Sequence, residues 1–367
     1  MPMSTAVIVN AKRIPIGKKH GMFKLYSPHE LMAPLLKHLA RDIENEIDDV
    51  IVGNVVGPGG NLARLSALEA ELPLSLPGMT IDRQCSAGIE AVRTACYMIQ
   101  GRAGKCYLAG GIESTSTSPY EKRAQFSPNQ IGDPNMGVAA EYVAKRFNIT
   151  RAMQDHYALL SYERSWNAYL QGIYKQEIIG MDGHSIDEEF LRKRDMTKLL
   201  HRARPLFAED KGTVTAANSC GIHDGASALL IMEETYAQNR GFLPVLRFID
   251  SQVSGVHPNY PGYAPVPAIK ELLKRNQLTI GDIDLFEINE AFSSKIIACA
   301  QQLSIPYEKL NIHGGALTLG HPYGASGAIL ITRLFYEVQR RTDLSYVVAA
   351  IGSGGGIGSA ILFEVVK

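Results

Sequence analysis

Three stretches of this 367-residue chain pair a polar or reactive side chain with an unusual backbone setting. Cys85 follows the short apolar run "GMTI" and precedes "SAGIEAVRTACYMI", in which Ile89, Val92, Cys96 and Ile99 recur at helical spacing. A thiol just ahead of a helix faces the positive end of the macrodipole, which favours the thiolate and so nucleophilicity. A buried structural cysteine is the other reading of the same position. Ser86, Ala87 and Gly88 are small enough to let a substrate come close. His321 stands between glycines in "GGALTLGHPYGASGA", in a tight turn ahead of a helix. An imidazole held there suits a general base or a donor to an oxyanion; a backbone-bonded turn histidine is the alternative. Asn289 and Glu290 end the apolar run in "GDIDLFEINEAF". An amide at that place holds a water or a carbonyl, or caps the next helix.

A fourth stretch, "AAIGSGGGIGSA", places five glycines between Gly352 and Gly358. Its spacing does not match Gly-x-Gly-x-x-Gly, and the flanking runs "LSYVVAAI" and "SAILFEVV" both read as strands. With no helix behind the loop, it is not a phosphate cradle.

The elements that must position these residues alternate short β-rich runs with helical stretches, the pattern of an α/β fold. "EIDDVIVGNVV" and "GDIDLFEINEAF" each lead from an acidic turn into a buried strand. After each comes a strand, a small-residue turn, a helix and another strand, so the chain reads as two duplicated α/β halves. Residues 1–241 are expected to form the N-terminal half and 242–367 the C-terminal half. Within the first, from about 112 to 241, a polar stretch with helical patterns in "GVAAEYVAKRFNI" and "RAMQDHYALLSYERSWNAYLQG" reads as an inserted lobe.

Composition narrows the classes. The 46% apolar and 20% charged fractions are those of a globular protein. Thirty-seven basic residues balance 37 acidic ones, so no overall field favours nucleic acid or an anionic membrane. No apolar run is long enough to span a bilayer. Cys85, Cys96, Cys106, Cys220 and Cys299 are odd in number and lack a Cys-x-x-Cys pair, which argues against disulfides and a metal site and for a reducing compartment. Cys96, Cys106 and Cys299 sit in apolar patterns and read as core. Neither a signal-peptide core nor a peroxisomal ending is present in the sequence, and cytoplasm is the expected location.

"DRQCSAG", "INEAF", "GHPYGASG" and "GSGGGIG", in this order and at these separations, resemble the four active-site motifs of the thiolase family. The resemblance runs nearly end to end, through "VIVNAKRIPIGK", "AGGIESTSTSPY", "MGVAAEYVAKRFNITRAMQD" and "RPLFAEDKGTVTAANSCGIHDGAS". It implies a layered α-β-α-β-α core with an inserted loop domain. The implied reaction is cleavage of a 3-ketoacyl-CoA by CoA, or the reverse Claisen condensation of two acyl-CoAs. By this resemblance Cys85 is the nucleophile that carries the acyl group. His321 activates it and contributes to an oxyanion hole, and Asn289 positions a water for that hole. The N–H groups of Cys85 and Gly354 form a second hole. Met136, Phe207, Cys220, Ala291 and Phe292 match positions along the pantetheine tunnel. Arg204, in the basic "LRKRDMTKLLHRARP", is a candidate for the nucleotide phosphates; a solvated charged helix is the alternative. No metal and no covalently bound cofactor is implied, and coenzyme A or acyl-CoA enters as substrate.

The sequence departs from the family pattern at Gly352, where thiolases carry the cysteine that moves protons during carbon–carbon chemistry. Thiolases related to sterol carrier proteins also lack it but carry a cysteine at the place of Ala291, so that compensation is absent too. Cys220, where serine is usual, is a candidate substitute. Three outcomes stay open: a thiolase with attenuated carbon–carbon chemistry, a thiolase-fold acyltransferase of another reaction, and a weakly catalytic acyl-CoA-binding protein working with a partner. The segment "EKRAQFSPNQIGDP" is shorter than the loop that joins dimers in tetrameric thiolases, so a homodimer is expected.

Overall fold

Along Cys106–Glu113 every residue is buried, yet alternate side chains enter different cores. Tyr107 and Ala109 join one cluster, and Cys106, Leu108 and Ile112 another. A strand covered on both faces is apolar throughout, and this alternation tells where the layers lie. The computed structural model describes residues 4–208 and 212–366. Its strands are β1 (Ala6–Arg13), β2 (Gly17–Lys18), β3 (Asp49–Gly53), β4 (Gly78–Ile81), β5 (Cys106–Glu113), β6 (His223–Glu233), β7 (Leu246–Gly255), β8 (Leu285–Ile288), β9 (Tyr346–Ser353) and β10 (Ile357–Val365). The helices are α1 (Pro28–Ala40), α2 (Leu62–Glu69), α3 (Ala87–Gln100), α4 (Met136–Arg146), α5 (Arg151–Leu170), α6 (Met196–Arg202), α7 (Glu234–Asn239), α8 (Pro265–Arg275), α9 (Ser293–Leu303), α10 (Ala316–Leu319) and α11 (Tyr323–Arg340).

The strands run in the order β4-β3-β5-β6-β1-β7-β10-β9-β8, with β2 beside β6. β3 pairs in parallel with β4 and β5, and β8 in parallel with β9; the pairs between are antiparallel. β1 and β7 meet at two residue pairs, Val7 with Arg247 and Ile8 with Leu246, so the order divides there into two half-sheets. Helices α1 and α2 cover the outer face of the first half-sheet, and α8 and α9 that of the second. Helices α3 and α11 lie between them, where Ile89, Val92, Ile99, Ile331 and Leu334 meet inward residues of both halves. The result is the five-layer α-β-α-β-α arrangement. In the second half "LNIHGG" is not a strand, and Leu310 makes a single parallel bridge to Phe286 where the first half has β4.

The chain leaves the sheet after Glu113 and returns at His223, so the lobe outside the layers spans 114–222. The stretch about 112–241 therefore also contains β6 and α7, which belong to the core because β6 is buried almost throughout. Asn135 caps α4 by accepting from the Gly137 N–H, and Thr150 caps α5 by accepting from that of Met153. Arg13, wholly buried on β1, pins the lobe through Glu177 at 2.7 Å and Asp187 at 2.6 Å. Among the described residues no helix is long and apolar enough to cross a membrane.

Candidate active site

The two central helices bring the first two chemical residues together. Cys85 lies in the turn before α3 and His321 in the turn before α11. These helix starts cross at Gly88, where an added Cβ would stand 2.7 Å from the Gly324 carbonyl oxygen, so backbone packs on backbone. The small residues in "SAG" and "GASG" thus set how closely the turns approach.

The glycine loop is the hairpin between β9 and β10, and Gly355 and Gly356 take positive φ angles of 78° and 81° within it. Ser353, the last residue of β9, shares a hydrogen bond of 2.6 Å with Ser86. This holds Gly354 beside the Cys85 turn. The backbone N–H groups of Cys85 and Gly354 lie close enough to the Cys85 sulfur to favour its thiolate. They and the positive charge of Lys295 favour the thiolate, but burial outweighs them and pushes the thiol up to about 11. The helix start therefore does not make a resting thiolate, as the sequence position alone suggests, because desolvation of the sulfur is the larger effect.

Asn289 extends the β8 ladder, its N–H donating to the Ala350 carbonyl at 3.0 Å. Its side-chain amide stands 3.5 Å from His321 Nδ1, which also meets Ser326 Oγ at 2.6 Å. Burial, then the nearby Lys295 and His223, push the His321 imidazole down to about 3, so it is neutral at physiological pH. Glu290 is fully engaged elsewhere. It accepts from Tyr157 Oη at 2.8 Å, Ser161 Oγ at 2.6 Å and Asn311 Nδ2 at 2.8 Å, which ties α5 to the strand end.

The segment before β6 runs beside "EAF": Cys220 N–H donates to the Ala291 carbonyl at 3.0 Å, and Ser219 bridges Phe292. Phe292 meets the Phe207 ring edge-on at 6.3 Å, and Phe207 packs over Gly137, next to Met136 at the start of α4. Phe207, Phe292, Ala291 and Cys220 thus adjoin one another, and Met136 precedes the glycine on which Phe207 packs. Arg204 is exposed after α6 and joins none of these contacts.

Two residues central to this site were absent from the candidates drawn from sequence. Lys295 on α9 is 4% exposed, and its ammonium has no hydrogen-bond partner. Its charge acts on Cys85, Cys220, Cys299 and His321. A lysine within the apolar helical run "SSKIIACA" is the signal that pointed to it. Pro261, in the 3-10 turn Pro261–Tyr263, sets its carbonyl against Gly352 and left no sequence signal.

A thiol, a neutral imidazole beside an amide, and two backbone N–H groups near the sulfur stand together on a five-layer α/β fold. The chain belongs to the thiolase family: the thiolase N-terminal domain matches residues 6–235 and the thiolase C-terminal domain residues 243–365. It is 59% identical over 360 residues to the "Putative acetyl-CoA C-acetyltransferase YhfS" of Bacillus subtilis (strain 168), covering 98% of this chain and 99% of that protein. The like-named VraB of Staphylococcus aureus (strain COL) is 46% identical over 383 residues, with coverage of 98% and 99%. The crystal structure of the Bacillus anthracis acetyl-CoA acetyltransferase superposes with a TM-score of 0.93 at 34% identity, covering 100% of both chains. That of human mitochondrial 3-ketoacyl-CoA thiolase superposes with a TM-score of 0.92 at 31% identity, covering 99% of both.

Proposed function

We propose that this thiolase is an acyl-CoA acyltransferase working through an acyl-enzyme on Cys85. His321, neutral at rest, takes the Cys85 proton as the sulfur attacks an acyl-CoA carbonyl carbon. The tetrahedral oxyanion is held by the N–H groups of Cys85 and Gly354, which stand beside the sulfur. Collapse expels the leaving group, CoA thiolate in acylation by a simple acyl-CoA, and leaves the acyl group as a thioester on the sulfur. Ser326 holds His321 Nδ1, so Nε2 faces the substrate. Asn289 steadies the ring and holds the water that completes the second oxyanion hole.

Coenzyme A enters as substrate, not as a resident cofactor. Its pantetheine arm runs along Met136, Phe207, Phe292, Ala291 and Cys220, an apolar wall with one polar thiol, as a mostly aliphatic chain requires. Arg204, exposed beyond that wall, meets the nucleotide phosphates. The protein works as a cytoplasmic homodimer in the acyl-CoA chemistry of lipid metabolism, a reading supported by its five free cysteines and the short segment before α4.

The observation that carries this reading is the 2.6 Å hydrogen bond between Ser86 and Ser353, which supports Gly354 standing beside Cys85. Intact-protein mass spectrometry after incubation with acetyl-CoA tests it. The expected result is one acetyl increment that maps to Cys85 and is absent from Cys85→Ala. No increment, or one that persists in Cys85→Ala, contradicts it.

A further inference from the structure

Beside Asn289 and Ala291 lies a small cavity also lined by Gly262, Lys295, Cys299 and Gly352. One residue on each side of it is unusual. On one side, Gly352 has no side chain where the family pattern has a thiol. The space that thiol would need is taken, because a Cβ on Gly352 would collide with the Pro261 carbonyl oxygen and crowd Pro265 at 3.1 Å. On the other side, the Lys295 stem lies against Gly262 so tightly that a Cβ there would strike its methylene carbons. The Pro261–Tyr263 turn thus closes the thiol's place with one residue and supports the lysine with the next. The lysine's ammonium is buried and makes no hydrogen bond, though it stacks 4.8 Å from the Phe292 ring centroid. An unpaired buried ammonium costs several kcal/mol, about the scale of burying any lone charge, so a fold keeps one where it has work to do.

We propose that Lys295 is the proton-transfer group of this site, doing with an amine what the family pattern assigns to a cysteine at the position of Gly352. The inference rests on the acyl-enzyme reading above. In condensation the neutral amine takes an α-proton from the second acyl-CoA: a C–H bond breaks and an N–H bond forms. The resulting enolate carbon attacks the Cys85 thioester carbonyl. A C–C bond forms, the C–S bond breaks, and Cys85 leaves as thiolate beside the Lys295 ammonium. In thiolysis the steps reverse. The ammonium protonates the departing enolate, and the amine then takes the proton of CoA as its sulfur attacks the acyl-enzyme.

The titratable groups around Lys295 are the thiols of Cys85, Cys220 and Cys299 and the His321 imidazole. Glu113 acts on Cys85 and is itself held by Asn54 and by the N–H groups of Val55, Val56 and Gly324. From the neighbouring turn and the start of α8, the cavity meets Gly262 and Pro265, neither of which titrates. Burial pulls the Lys295 ammonium down to about 8, with the three thiols pushing back. Burial pushes the Cys220 thiol up to about 12, so it does not release its proton readily at neutral pH.

The test compares wild type with Lys295→Met and Lys295→Gln, reading acetylation of Cys85 from acetyl-CoA separately from the rate of acetoacetyl-CoA formation. Both variants should still acetylate Cys85, while carbon–carbon bond formation falls by about 10²–10⁴-fold, the usual loss on removing a general base. Wild-type condensation should rise with pH through about 8, as the amine loses its proton, and the variants should lack that limb. A variant that condenses within about threefold of wild type overturns the proposal, as does one that loses acetylation and condensation alike. A wild-type profile with no limb between about pH 7 and 9 overturns it whether or not the variants fold. Failure of wild-type Cys85 to acetylate is a different result and removes the acyl-enzyme reading itself.

Discussion

The hydroxyls of Ser86 and Ser353 meet at 2.6 Å although 267 positions separate them in the chain. Both residues are fully buried. One follows the nucleophile and the other precedes the glycine whose N–H faces it, so this single bond aligns the two halves of the acyl site. Ser353→Ala strands the Ser86 hydroxyl and should cost about 1–3 kcal/mol in urea unfolding. Acetylation of Cys85 should slow with it. The double change to alanine should cost less than the sum of the single ones, and strict additivity argues against a shared bond.

Cys85 should react as a protonated, shielded thiol. With its pKa near 11, alkylation by iodoacetamide should keep accelerating from pH 8 upward, whereas a free thiol levels off near about 9. Peptide mapping separates Cys85 from the other four cysteines. A plateau below pH 8 would show an activated thiolate instead.

Restoring the family residue should not restore family chemistry. Gly352→Cys forces a side chain against the Pro261 carbonyl, a backbone atom that cannot swing aside. The expected cost is about 1–3 kcal/mol of stability, typical of overpacking. Thermal unfolding reads the loss, and acetoacetyl-CoA thiolysis should not rise. A faster enzyme of unchanged stability would mean that the turn yields.

Glu290 is an anchor for the lobe. Glu290→Ala leaves the Tyr157 and Ser161 hydroxyls without their acceptor and Asn311 with only its bond to the Ile288 carbonyl, at about 1–3 kcal/mol for each buried donor stranded. Limited proteolysis should cut α5 and its flanks faster in this variant. Equal digestion rates would show that α5 docks by its apolar contacts alone.

Acid should find His321. An unfolded chain protonates this imidazole near 6.5, but the folded protein does so only near 3. Between those values the unfolded state binds the extra proton, so stability falls as pH drops through the window, by up to about 1.4 kcal/mol per pH unit. His321→Gln lacks this term, and urea unfolding from pH 7 to 4 should give it a shallower acid slope. Parallel slopes would exclude His321 as a source.

Much of the site was legible before any coordinates. Cys85, Asn289 and His321 stand out by residue type and setting, and Gly354 by the family resemblance; Gly354 lies by Cys85, and Asn289 by His321. The family resemblance assigns Met136, Phe207, Cys220, Ala291 and Phe292 to a tunnel, and four of them adjoin one another. Arg204 stands in a basic stretch of the sequence and is exposed in the structure. The lobe was drawn through β6 because a buried strand flanked by polar segments shares their local composition.

The sequence by itself determined the elements and their two-sided burial, because periodicity and turn chemistry are written in neighbouring residues. Only the tertiary structure decided which protons those residues hold. Desolvation comes from segments far away in the chain: it raises the Cys85 thiol, keeps His321 neutral and lowers the Lys295 ammonium toward neutrality. The same holds for Gly352. Its missing side chain is visible in the sequence, but the turn filling its place and supporting Lys295 appears only when Pro261 and Gly262 fold against it.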